Sequence, residues 1–284
     1  MAVPYAEVIG DPIAHSKSPL IHKFWLGKLG LEADFRKTRV VLGDLASFFS
    51  GRRAESDWLG CNVTIPHKQS VGAHLDRIDP AAARIGAINM VVREFGGELV
   101  GYNSDAAGFV EPLRPLLAER HLFRMARIIG AGGAARAVAH ALWAEGFTLV
   151  IIARNPAKAE ALRSQFDAAH SYVGALADLA APTDFPFDDR EGILDLVINT
   201  TSLGMTGQPP LQLDFSHVPP RAVVYDVVYA PLETPLLAEA RARGLRTHDG
   251  LEMLVGQAAI AFGKFFGRPA PREHDAELRA LLLQ

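Results

Sequence analysis

Ile128-Ile-Gly-Ala-Gly-Gly-Ala-Ala-Arg136 is the stretch that decides the fold. Apolar residues run into a cluster of glycines, and an alanine-rich segment follows. Gly130, Gly132 and Ala135 stand at dinucleotide-fingerprint spacing. Such a pattern needs a glycine for the tight strand-to-helix turn and a second so that a pyrophosphate can approach the backbone. A small residue at the third position lets the helix pack closely on the sheet. The free N–H groups at the helix start then face phosphate with the positive end of the dipole. A tight turn with no ligand is the competing reading of the glycines alone. The context favours nucleotide binding: Arg127–Ile129 reads as a strand, the helix runs to about Glu145, and Phe147–Ala153 is an apolar, β-branched run suited to a buried parallel strand.

Asn155-Pro156 opens the next helix, with Asn155 as N-cap and Pro156 at N1. Leu194–Asn199 and Ala222–Val228 supply two more buried strands. Strand–helix alternation of this kind implies right-handed crossovers and an open parallel sheet. The end of the second strand, where an NAD site places Asp or Glu on the ribose, carries Ala153-Arg154-Asn155-Pro156-Ala157-Lys158 instead. A carboxylate repels a 2′-phosphate, whereas the Arg154 fork can pair two of its oxygens. Arg154 and Lys158 therefore favour NADP over NAD; two solvated surface cations are the plainer alternative.

Toward the amino end, Tyr5–Ile9, Phe35–Leu42 and Trp58–Val63 read as strands, and Pro19–Leu29 and Leu45–Ser50 as helices. Ser18 is the expected N-cap of the first helix, with Pro19 at N1. Ala87–Val92 and Glu98–Gly101 resemble a strand pair across Gly96-Gly97. Polar clusters sit at the ends of these elements. Ser16 and Ser18 would share one face in extended geometry, where they can bind a carboxylate or a diol, or they can simply cap the helix. Asn62-Val-Thr-Ile-Pro-His-Lys68 ends a strand with amide, hydroxyl and ammonium groups, and Gly101-Tyr-Asn-Ser-Asp105 ends another with an amide and a carboxylate. One Lys and one Asp at the ends of separate elements suggest a proton-transfer pair, and the Ser, Thr and Asn around them suggest a small polyhydroxylated acid.

The 284 residues imply about two domains. With 49% hydrophobic and 21% charged residues the chain is globular in type, not disordered. A net charge of −3 gives no support for binding nucleic acid or an anionic membrane. The single cysteine, Cys61, excludes an internal disulfide and a Cys-rich zinc module, and is expected to be buried in its strand. No apolar run approaches about 18 residues, and Met1-Ala-Val-Pro-Tyr-Ala-Glu7 lacks a basic stretch leading into an apolar one. A cytoplasmic protein is expected. His15, His22, His67 and His74 read as surface or hydrogen-bonding residues, and no metal site is expected. The Gly-x-x-x-x-Gly-Lys-Ser phosphate loop is absent. Residues 181–192 read as a surface loop. Asp249-Gly-Leu-Glu252 reads as a capping-box start of a helix to about Phe266, and a last helix covers Arg272–Leu283.

Taken together, the motifs resemble the shikimate dehydrogenase family over nearly the whole chain. They are Gly10-Asp-Pro-Ile-Ala-His-Ser-Lys-Ser-Pro19, Asn62–Lys68, Gly86-Ala-Ile-Asn89, Gly101–Phe109, Gly130–Arg136, Ile198-Asn-Thr-Thr-Ser-Leu-Gly-Met205, Asp226-Val-Val-Tyr-Ala-Pro231 and Gly250-Leu-Glu-Met-Leu-Val-Gly-Gln257. The resemblance implies an α/β chain of two domains: a substrate-binding and catalytic domain over 1–104 plus 251–284, and a doubly wound Rossmann-type NADP domain over 105–250. The carboxyl-terminal helices would return to the first domain. It implies Lys68 and Asp105 as the catalytic pair, and substrate contacts from Ser16, Ser18, Thr64, Asn89, Tyr229 and Gln257. Gly130, Gly132, Gly133 and Ala134 match the phosphate turn, and Thr201, Met205, Gly250 and Met253 match positions around the cofactor.

The chain departs from the family at three places. Ala153-Arg-Asn155 stands where Asn-Arg-Thr is usual, Ser104 replaces a frequent Thr, and Met90 replaces another. The implied activity is NADP-linked interconversion of 3-dehydroshikimate and shikimate, by a monomer or homodimer. A quinate/shikimate dehydrogenase with broader substrate or NAD use is the same-class alternative. A non-catalytic sensor of the same metabolites is the alternative of another class.

Overall fold

A computed structural model describes residues 3–284; Met1 and Ala2, part of the start read above for a leader, lie outside the described residues. The chain divides into two compact units. The first comprises residues up to Gly108 together with Leu254–Gln284, and the second is Phe109–Met253.

In chain order the elements begin with β1 (Tyr5–Gly10), α1 (Ser18–Leu29), β2 (Asp34–Arg39), α2 (Leu45–Arg53), β3 (Trp58–Val63), β4 (Arg77–Ile78), α3 (Pro80–Ile85), β5 (Met90–Arg93), β6 (Leu99–Tyr102) and α4 (Asp105–Val110). Then come α5 (Arg114–Leu117), β7 (Phe123–Ile129), α6 (Gly133–Ala144), β8 (Thr148–Ala153), α7 (Pro156–Arg163), β9 (Ser171–Ala175), β10 (Ile193–Asn199) and β11 (Val223–Asp226). The chain closes with α8 (Pro235–Ala242), β12 (Arg246–His248), α9 (Gly250–Phe266) and α10 (Asp275–Leu282).

The first unit holds a six-stranded sheet in the order β2-β1-β3-β5-β6-β4. It is mixed: β1 runs parallel to β2 and β3, while β5 runs antiparallel to both of its neighbours, β3 and β6. On one face Val8, Phe35, Met90 and Val92 pack with Ala261 and Phe265 of α9. The Trp25 ring meets Phe262 edge-on at 5.6 Å. Each such side chain, fully buried, contributes roughly 1.5–3 kcal/mol. Glu7, buried in β1, is compensated by Arg52, whose Nε lies 2.6 Å from Oε1, and by Trp58 Nε1 at 2.8 Å.

Three readings of this unit need correction. Ser18 does not cap α1: the N-cap position is Lys17 in helical geometry, and Ser18 lies in the first turn with its N–H donating to Ser16 Oγ at 3.3 Å. With Lys17 helical, Ser16 and Ser18 are not the two ends of an extended triplet. The strand expected over Phe35–Leu42 stops at Arg39, because Leu42-Gly-Asp44 turns into a 3-10 helix. His22 is not on the surface. It is fully buried, with the Asn62 side chain as its polar neighbour, and it stacks on Phe35 at 3.9 Å with planes 4° apart. Burial lowers its pKa to about 3, so the ring is neutral. Cys61 is buried as expected, and burial pushes its thiol up.

The second unit is an all-parallel sheet in the order β12-β11-β10-β7-β8-β9. Numbered within the unit, that is the 3-2-1-4-5-6 order of a doubly wound nucleotide fold, with its reversal between β7 and β10. Ligands of such sheets bind outside the carboxyl ends of the strands flanking the reversal. Asn155 caps α7, accepting from Ala157 N–H at 3.0 Å and Lys158 N–H at 3.3 Å. Among the described residues, no helix is long and apolar enough to cross a membrane, and no cluster of His, Cys, Asp and Glu could hold a metal ion.

Candidate active site

In the first unit the polar residues gather at the carboxyl end of β3. After Thr64 the chain turns at Pro66 into a 3-10 turn over His67–Gln69. That turn is anchored from both sides. The buried His67 sets its Nε2 2.6 Å from the Val40 carbonyl, and the Lys68 carbonyl accepts from Ile88 N–H at 2.7 Å. With its backbone fixed, Lys68 extends Nζ to Asp105 Oδ2 at 2.6 Å. The two side chains are only 16% and 5% exposed, so this is a largely desolvated ion pair.

Asn89 holds the other carboxylate oxygen. Its Nδ2 donates to Asp105 Oδ1 and to Ser104 Oγ, both at 2.9 Å, and reaches Gln257 Oε1 at 3.3 Å. Its Oδ1 accepts from Ser104 N–H at 2.7 Å, which fixes the amide orientation. Gln257, on α9, comes this close because of Gly108: a Cβ on Gly108 would lie 2.5 Å from the Gln257 nitrogen. Lys68, Asp105, Asn89 and Gln257 are thus brought together by direct hydrogen bonds. Thr64 lies at the mouth of the same turn, half-buried. Ser16 and Ser18 lie in the segment after β1, where Asp11 N–H meets the Ile65 carbonyl at 3.0 Å. The proton-transfer chemistry suggested by one Lys and one Asp therefore has a geometry: an ammonium aimed at a carboxylate, with an amide steadying the carboxylate from behind.

In the second unit, Gly130 leaves β7 at φ 126°, and a Cβ there would fall 2.3 Å from Thr200 Oγ1. Only glycine permits that turn and that approach. Gly132 precedes α6 with no side-chain cap, and a Cβ there would meet nothing within 4 Å. The start of α6 therefore presents uncapped N–H groups to open space. Arg154 and Lys158 are exposed at the end of β8 and the start of α7. Free amides at a helix of twelve residues, open space over Gly132 and two cations one strand away suit a pyrophosphate and a 2′-phosphate. Thr201 and Met205 lie in the segment after β10, and Tyr229 in the one after β11, where burial raises its hydroxyl pKa. Gly250 opens α9, and Met253 is buried in the core of this unit.

Comparison with known proteins gives this geometry a context. Residues 8–91 match the model of the shikimate dehydrogenase substrate binding domain. Residues 117–184 match shikimate / quinate 5-dehydrogenase, and 250–277 match the shikimate 5′-dehydrogenase C-terminal domain. The shikimate dehydrogenase (NADP(+)) of Sphingopyxis alaskensis is 50% identical over 283 residues, covering 99% of this chain and 98% of its own. The chain belongs to the shikimate dehydrogenase family.

Solved structures of the shikimate dehydrogenase family agree in fold. The Thermus thermophilus shikimate 5-dehydrogenase in complex with NADP(H) and shikimate superposes with a TM-score of 0.82 at 34% identity, covering 99% of this chain and 100% of that one. The quinate dehydrogenase of Corynebacterium glutamicum in complex with NAD gives 0.82 at 28% identity, covering 98% and 99%. Reading the sequence singly overlooked Ser104 as a partner of Asn89 and the buried trio of Asn199, Asp226 and Thr234. The available signal was position: Asn199 and Asp226 are the last residues of adjacent strands.

Proposed function

We propose that this shikimate dehydrogenase family member is the NADP-dependent enzyme that reversibly reduces 3-dehydroshikimate to shikimate. The observation that carries the reading is the 2.6 Å Lys68–Asp105 pair steadied by Asn89, in a chain 50% identical to a shikimate dehydrogenase. When bound at the glycine turn, a nicotinamide cofactor would supply the hydride and, in the reverse direction, accept it. Lys68 gives its ammonium proton to the ketone oxygen as that oxygen gains charge, and recovers one in the reverse direction. Asp105 keeps the ammonium aimed, and accepts from a ring hydroxyl. Asn89, Thr64 and Gln257 position the ring, Ser16 and Ser18 hold the carboxylate, and Tyr229 adds a further substrate contact.

For the cofactor, the amides of Gly132, Gly133 and Ala134 receive the pyrophosphate where Gly130 has turned the chain. Arg154 and Lys158 take the 2′-phosphate, with Thr201, Met205, Gly250 and Met253 around the rest. On this reading residues up to Gly108 with Leu254–Gln284 form the substrate unit, and Phe109–Met253 the NADP unit. The protein works in the cytoplasm as a monomer or homodimer, without nucleic acid.

The test is NADPH oxidation by the purified chain with 3-dehydroshikimate, run beside quinate and NAD⁺ in the oxidative direction. Turnover with 3-dehydroshikimate and NADPH, and little with quinate, is the expected result. Comparable rates with quinate or NAD⁺ would favour the broader enzyme. Absent turnover with tight shikimate binding would favour the sensor.

A further inference from the structure

The second unit contains a buried carboxylate that the mechanism above does not use. Asp226 ends β11 opposite Asn199, which ends β10, and Asp226, Asn199 and Thr234 are all 0% exposed. Asp226 Oδ1 accepts from Asn199 Nδ2 at 2.9 Å and from Val228 N–H at 3.0 Å. Its Oδ2 accepts from Thr234 Oγ1 at 2.7 Å.

Each partner leads into a different segment. Asn199 organises the loop after β10: its Oδ1 accepts from Thr201 N–H at 3.0 Å and Thr201 Oγ1 at 2.7 Å, and its Nδ2 donates to the Leu203 carbonyl at 3.0 Å. Val228 lies in the loop after β11 that carries Tyr229. Thr234 caps α8, accepting from Leu237 N–H at 3.3 Å. The two loops are tied once more where Thr206 N–H meets the Ala230 carbonyl at 2.7 Å.

The chemistry of these bonds calls for a carboxylate. The Asn199 amide nitrogen and the Val228 N–H can only donate. The Thr234 hydroxyl already accepts from Leu237, so its proton points at Asp226. An ionised carboxylate accepts on both oxygens, whereas an amide accepts on one and offers N–H groups on the other. An amide at 226 would set donor against donor at Thr234 and leave a buried hydroxyl proton without an acceptor. The carboxylate is also held at a cost, since burial raises its pKa to about 6 against the pull of its three donors.

We infer that Asp226 is a positioning residue that sets the two loops carrying Thr201, Met205 and Tyr229, and through them the placement of the nicotinamide cofactor. The inference rests on the function proposed above, and it assigns Asn199 and Thr234 as the partners through which Asp226 acts.

The test uses the full chain with Asp226→Asn, Thr234→Val and Thr234→Ser, assayed with NADPH and 3-dehydroshikimate beside thermal unfolding. Asp226→Asn should raise the KM for NADPH about tenfold or more, at a buried charged hydrogen bond's usual scale, and should also lower the unfolding midpoint, because the buried Thr234 hydroxyl loses its acceptor. Thr234→Val should shift KM in the same direction, and Thr234→Ser, which restores the hydroxyl, should return it to the parental value. A merely structural role would lower the active fraction and leave KM unchanged. Parental KM and kcat in folded Asp226→Asn would overturn the inference. Equal losses in Thr234→Val and Thr234→Ser would do the same, and these two variants decide the matter should Asp226→Asn not fold. If the parent itself fails to turn over, the proposed function falls instead, and NADPH affinity by fluorescence titration of the same variants still reads the positioning.

Discussion

Replacing Lys68 with alanine separates two roles of one ion pair. Among the described residues the ammonium is the only cation hydrogen-bonded to Asp105, at 2.6 Å from Oδ2, and Oδ1 stays bound to Asn89 at 2.9 Å. As proton donor, Lys68 should account for a 10²–10⁴-fold fall in kcat, about the range for a positioned acid, or roughly 3–5 kcal/mol on the barrier. NADPH affinity should be unchanged, because the phosphate turn at Gly130–Ala134 shares no hydrogen bond with this pair. Stability should also fall, because Asp105, whose side chain is 5% exposed, is left charged without its partner. We expect about 3 kcal/mol, the low end for breaking a buried pair, since Asn89 still donates. Adding Asp105→Asn removes the orphaned charge, so the double variant should regain most of the stability and none of the turnover. Steady-state NADPH oxidation and urea unfolding of the parent, single and double variants measure both effects. Near-parental kcat in Lys68→Ala would refute the proton-donor role, and equal stability of the single and double variants would refute the electrostatic argument.

Other expectations are narrower. His22 is buried neutral with a pKa of about 3. The unfolded chain therefore takes up its proton first, near 6.5, and stability is lost as pH falls from there toward 3, by up to roughly 5 kcal/mol. Urea unfolding between neutral and mildly acid pH should show a shallower decline in His22→Phe than in the parent, and parallel curves would refute this. Gly132→Ala should leave the unfolding midpoint unchanged, since a Cβ there meets nothing within 4 Å, yet raise the KM for NADPH. Gly130→Ala should lower both stability and cofactor affinity, because its φ of 126° and the Thr200 hydroxyl at 2.3 Å leave no room. Arg154→Ala should weaken NADPH but not NADH by about 10–100-fold, the scale of a charged hydrogen bond, as read from the two KM values; an unchanged ratio would remove Arg154 from the 2′-phosphate site.

Much of this was legible in sequence because the deciding signals are local. The glycine turn, the alanine-rich helix and the Asn155-Pro156 cap specify their own backbone within a few residues. Among the elements that went unread are the short edge strands: Arg77–Ile78, Ser171–Ala175 and Arg246–His248 are too brief and too exposed to show a period-two pattern. His22 was misjudged by residue type. Its neighbours Ser18, Ile21, Trp25 and Leu26 are the other buried residues of α1, and together the five mark one apolar stripe in which the imidazole acts as a flat aromatic surface. In the candidate site, Lys68 and Asp105 were visible as strand-end polar residues. The Asn199–Asp226–Thr234 chain was not, because the register between β10 and β11 that pairs Asn199 with Asp226 is a tertiary fact.

The interleaved order of the two units also has a consequence for how the molecule is born. Synthesis runs from the amino end at about 5–20 residues per second. Val8, Phe35, Met90 and Val92 emerge well before Ala261 and Phe265, the side chains that cover them. Phe109–Met253 is uninterrupted and is finished first. Until α9 arrives, the nascent chain carries an open apolar sheet face and an Asn89 whose partner Gln257 lies 168 residues downstream. Joining them adds little entropy cost, because loop closure grows only with the logarithm of length. What the arrangement demands is time, during which the half-built sheet needs shielding by the translation machinery or by a chaperone.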